Sequence, residues 1–169
     1  MIPNGMSSVG LHRAAEGLLR ERLAPHGVAL EPLPDLPTGS AMLLPGGRMR
    51  VVKVLVREAP HRRGGRGDLG LHWMLTSDFE DYAALVDLSR QAVWLLPSAE
   101  FRSWAHPQRG GRWHLDWIVS RTARSQWPDE SEFERYRLER DGGWRLEDGD
   151  WTCERGGGPT PDLQLPASM

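Results

Sequence analysis

Val9, Leu11, Ala14, Ala15, Leu18, Leu19 and Leu23 recur at helical spacing and so make one apolar face of a helix. Ser7 or Ser8 can cap that helix, and Pro25-His26-Gly27 ends it. The period then changes. Residues 28–30 are short and apolar enough for an edge strand, after which Pro32, Pro34 and Pro37 allow only an extended link. Residues 40–44 and 48–57 are two strands around a tight Pro45-Gly46-Gly47 turn. Met49, Val51, Val54 and Val56 make the second strand apolar enough to lie inside a sheet.

Residues 58–68 hold Pro60, three glycines and several basic side chains, the composition of a flexible basic loop. Strands are predicted at 71–75, 82–88 and 92–96, with an acidic turn at 77–81 and a tight turn at 89–91. Ser98 is placed to cap a short helix at 99–104, and a polar loop follows at 106–112. Residues 113–119 alternate, with Trp113, Leu115 and Trp117 on one side and His114 and Asp116 on the other. A last short helix is expected at 128–138, with Phe133 and Tyr136 turned inward. Beyond Asp141 the chain is rich in Gly, Asp and Trp, and 156–169 has the composition of a disordered tail. Helix, strands, then helices predict an α/β or α+β fold, a single domain over 8–150 with a central mixed sheet flanked by helices.

A net charge of -2 argues against coating nucleic acid through bulk charge. The charge is uneven, though. Arg48, Arg50, Lys53, Arg57, Arg62, Arg63 and Arg66 cluster with only Glu58 to offset them, and 129–150 leans acidic. Cys153 is the single cysteine, so no intrachain disulfide can form. No apolar run reaches the roughly 20 residues of a membrane span, and the first residues lack the basic and apolar regions of a signal peptide. No membrane contact and a cytoplasmic setting are the expectations. Lys53 is the only lysine; every other Lys or Arg position is arginine.

These features carry a resemblance. A helix bearing Ala15-Glu16, a strand, a Pro-Gly-Gly turn and a strand with Val52-Lys53 at its centre resemble the PD-(D/E)xK, or restriction-endonuclease-like, nuclease fold. Trp73 after a basic loop, Asp81-Tyr82 opening an apolar strand, and Val93-Trp94-Leu95-Leu96-Pro97-Ser98 are similar to small nuclease-like domains of that group. The likeness spans roughly 8–104. It implies an aspartate on the first hairpin strand and an acid two residues before the lysine, which together hold Mg²⁺. Such a metal activates water and neutralises phosphoryl oxygens. The lysine helps orient the attacking water.

Laid on this chain, the pattern puts the lysine at Lys53 and the helix acid at Glu16, but the acid before the lysine falls on Val51 and the first-strand aspartate on Ala41, or on Ser40 if the register slips. The resemblance thus implies a vestigial site, with Lys53 and Glu16 retained as an ion pair and no metal or other cofactor. Three readings follow. The first is a degenerate nuclease-like domain that binds nucleic acid or a protein partner, with Arg57, Arg62, Arg63 and Arg66 as phosphate contacts. The second is an active Mg²⁺-dependent nuclease with migrated acids, Asp68 among them. The third is a protein-interaction module that uses the acidic, Trp-rich part at 129–169. DNA against RNA and the oligomeric state stay open.

Overall fold

Ser7 accepts the Gly10 N–H on its hydroxyl at 3.0 Å, and helix α1, Ser8–Leu23, starts there. The computed structural model describes residues 7–36, 39–62, 67–121, 126–139, 143–147 and 150–153. Ala15, Leu18, Leu19 and Leu23 form the buried stripe of α1. Ala24–His26 continues as one 3₁₀ turn, and Gly27 closes it at φ 74°, a left-handed conformation that suits glycine.

Five strands make the main sheet: β1 (Ala29–Pro32), β2 (Gly39–Leu43), β3 (Met49–Arg57), β6 (Tyr82–Asp87) and β7 (Ala92–Pro97), in the order β1-β2-β3-β6-β7. The β3–β6 pair is parallel and the other pairs are antiparallel, so the sheet is mixed. Between β3 and β6 the chain leaves this sheet to form β4 (His61–Arg62) and β5 (Leu69–Leu75). After β7 and helix α2 (Ser98–Trp104) it adds β8 (His106–Gln108) and β9 (Arg112–Ser120). These four strands form a second, antiparallel sheet in the order β4-β5-β9-β8.

Alternation along β3 and β6 gives the main sheet two buried faces. Val52, Val54, Tyr82, Ala84 and Val86 face α1. Leu55, Ala83 and Leu85 face the second sheet, where Leu71, Trp73, Leu115 and Trp117 meet Trp94, Phe101, Phe133 and Tyr136. The molecule is therefore layered: α1, the main sheet, then the second sheet with α2 at its side. The single α+β domain around a mixed sheet is as expected.

Several local expectations need correction. The expected basic loop contains β4, and the polar loop after α2 contains β8 and a 3₁₀ turn. Ser98 does not cap α2. It is the first helical residue; its backbone N–H donates to Asp81 O at 2.9 Å, while its hydroxyl is buried without a hydrogen bond. The helix expected at 128–138 is a 3₁₀ helix, Glu130–Tyr136, opened by a reciprocal Asp129–Glu132 capping box. Past it, β10 (Trp144–Glu147) and β11 (Asp150–Cys153) form a hairpin that the sequence pattern did not predict. Trp144 and Trp151 stack at 5.3 Å between centroids and fill the core on the α1 side. The Trp144 indole N–H lies 3.1 Å from both Leu95 O and Tyr136 O. The expected tail at 156–169 lies outside the described residues.

Candidate functional site

Lys53 sits in a transverse row with Gly39 of β2, Ala83 of β6 and Leu96 of β7. The neighbouring row on the same face holds Glu31, Ala41 and Val51. Asp81 stands beside Val51: its N–H donates to Val51 O and its Oδ2 accepts the Val51 N–H, both at 2.8 Å. The hairpin register therefore places Ala41 and Val51 directly opposite one another and on the lysine's face, and neither side chain carries a donor atom for a metal.

Glu16 is not brought to Lys53. Helix α1 packs on the opposite face, against Val52 and Val54, and Glu16 Oε1 lies 2.7 Å from His12 Nε2. The expected Lys53–Glu16 pair is corrected on that ground: one residue of strand alternation puts the lysine on the far side of the sheet from the helix. One carboxylate that acts on Lys53 is Glu80, in the turn before β6. Burial lowers the Lys53 amine below the ordinary lysine value, and the Glu80 charge acts in the opposite direction. The amine also lies 5.9 Å from the Phe79 ring centroid. Gly39 leaves room for that ring, since a β-carbon there would come within 3.2 Å of it.

Glu80 is itself fixed in place. Its side chain is buried, Oε1 accepts from the Ser77 hydroxyl at 2.6 Å, and Oε2 accepts from the Arg102 guanidinium of α2 at 3.0 Å. Arg102 also donates to Ser77 O at 2.9 Å. The result is a turn clamped to α2, with Lys53 beside it. Among the described residues, no group of three or more His, Cys, Asp or Glu is placed to hold a metal ion. Asp81 is engaged by a backbone amide and Glu80 by Arg102, so the donor set around Lys53 does not fit a hard divalent cation, which wants several carboxylate oxygens.

Of the expected phosphate contacts, Arg57 is half-buried and donates from Nε to His72 O at 2.6 Å, tying β3 to β5. It is a clamp between the sheets. Arg62 is exposed, with Nη1 3.2 Å from Gly67 O. Arg63 and Arg66 lie outside the described residues. Trp104 is half-buried, rests against Phe133 at 4.4 Å and donates to the Tyr136 hydroxyl at 3.4 Å. His114 and Asp116 share a face, but Asp116 Oδ1 lies 2.8 Å from His72 Nδ1. Glu80, Arg102 and Phe79 are the site residues that sequence reasoning missed. The acidic turn was visible; nothing in the sequence joined it to an arginine 22 positions later.

No family model and no curated protein matches the chain. Among solved structures, a bacterial homing endonuclease is similar, with a TM-score of 0.50 and 16% sequence identity, over 78% of this chain and 88% of that one. No helix of the described residues is long and apolar enough to cross a membrane. At that level of identity the likeness is one of fold, and the chain is a single α+β domain with the nuclease-like architecture that its hairpin implied.

Proposed function

We propose that this chain is a degenerate PD-(D/E)xK domain that binds nucleic acid without cutting it. The single observation that carries this reading is the row beside Lys53. On the resemblance, Lys53 of the central strand answers to the family's lysine and Ala41 and Val51 to its two metal carboxylates, and these two are paired in register on the lysine's own face. Without those oxygens nothing there lowers the pKa of a water or neutralises a phosphoryl group. Trp144 and Trp151, which the third reading would use, are buried in the core.

The test is incubation of the full chain with single- and double-stranded DNA and with RNA, in Mg²⁺ or Mn²⁺, with binding followed in parallel by gel retardation. Retarded and intact substrate is expected. Metal-dependent cutting that disappears in Lys53→Ala would overturn the proposal.

A further inference from the structure

The geometry points to the outer face of the second sheet as the docking surface for a nucleic-acid phosphodiester backbone, an inference that rests on the binding function proposed above. The inner face of this sheet is committed to the core through Leu71, Trp73, Leu115 and Trp117. Strand alternation then turns His72, Met74, His114, Asp116 and Arg112 outward. His106 and Gln108 of β8 pair directly with His114 and Arg112, and so share their face. The His61 ring of β4 lies 4.8 Å from that of His72. Four of the chain's six histidines are thus gathered on one sheet face. Neither helix covers it: α1 packs on the far side of the main sheet, and α2 puts Phe101 into the core.

The charge of this surface differs from that of the chain. The segments 61–62, 69–75 and 106–120 carry three arginines against one carboxylate, Asp116, whereas the whole chain is at -2; Arg112 stands on the outward face, and Arg62 follows the outward His61 on the edge strand. Asp116 is occupied by His72 at 2.8 Å. What remains exposed at the two edges is His61 and Arg62 on one side and His106, Gln108 and Arg112 on the other. Imidazole, amide and guanidinium N–H groups are donors suited to phosphate oxygens, and contacts of that kind carry no base preference. Asp116, the one acid of these segments, lies at the centre of the face and not at its edges. The face is separate from the Lys53 turn, which lies on the main sheet, so the surface that holds the ligand and the relic of the catalytic centre are different places.

The experiment is fluorescence anisotropy with labelled single-stranded DNA, duplex DNA and single-stranded RNA across a salt series, on the full chain. Arg112→Glu is compared with Arg13→Glu, which makes the same change of charge on the exposed side of α1. Arg112→Glu is expected to weaken binding and to reduce the slope of log affinity against log salt by about 1, the signature of one lost phosphate contact. Arg13→Glu is expected to leave both unchanged. His61→Glu, at the opposite edge, repeats the test should Arg112→Glu melt early. The arm with the tightest binding identifies the source of the phosphate. If the wild-type chain binds and the sheet variants bind equally well, or Arg13→Glu loses as much, the docking face is overturned while the binding function stands. Competition by polyglutamate as strong as by nucleic acid also overturns it. If the wild-type chain binds none of the three, the function proposed above falls with it.

Discussion

Lys53 could be found from the sequence because it has no competitor: one lysine, flanked by Val52 and Val54 on a strand. Its neighbours could not. Whether a strand residue looks toward α1 or away from it depends on the register of the whole sheet, and Glu16 was assigned to the wrong side for that reason. Glu80 was visible only as part of an acidic turn, since its burial depends on Arg102 arriving from α2. Glu80→Gln leaves the guanidinium facing a neutral amide and removes the charge that supports the Lys53 ammonium. Loss of one charge-assisted hydrogen bond of this kind costs about 1.5–3 kcal/mol, readable by urea denaturation. The same substitution lowers the Lys53 amine further, because burial is then unopposed. Amine chemical shifts against pH would read this, and an unchanged lysine titration would remove Glu80 from the site.

Elements with a strong period were legible: α1 from its apolar stripe, and β2–β3 and β6–β7 from apolar runs bounded by turns. Elements stabilised from outside were not. The β10–β11 hairpin has four residues per strand, too short to show alternation, and is secured by what its tryptophans touch. Trp144 fills the α1-side core and Trp151 carries the Tyr82 hydrogen bond to its carbonyl at 3.2 Å. Trp144→Ala is expected to cost about 3–5 kcal/mol, the range for a fully buried aromatic. Hydrogen exchange should then show the hairpin amides losing protection before those of β3. A variant as stable as the wild type would mean that the hairpin contributes nothing to the core.

The molecule has two buried layers and two tyrosines, one in each. Tyr82 belongs to the α1-side core and Tyr136 to the core between the sheets. Burial is the main cause that raises both phenols above the ordinary 10.0, and it carries Tyr136 to about 12 together with its hydrogen bond to Glu100 at 2.6 Å, while Arg135 and Trp104 act against the rise. The sign follows directly. Between the unfolded and folded values the native state still holds a proton that the unfolded chain has lost, so stability is complete below about pH 10 and falls as the pH climbs through about 12. Alkaline titration followed by tyrosinate absorbance should show no phenol ionising at its ordinary pH before unfolding begins. A tyrosine that titrates at 10 in the folded chain would place it in water.

The two sheets also differ in when they can exist. The pairing of β2 with β3 needs nothing beyond residue 57, but β5 finds its main partner only in β9, at residues 112–120. On a ribosome, Leu55, Leu85 and Trp94 are therefore made and aligned well before Leu115 and Trp117 arrive to cover them. A chain interrupted between β7 and β9 would present that face bare. The arrival of β9, more than the hairpin that holds the lysine, decides whether the nascent protein stays out of the hands of chaperones and proteases.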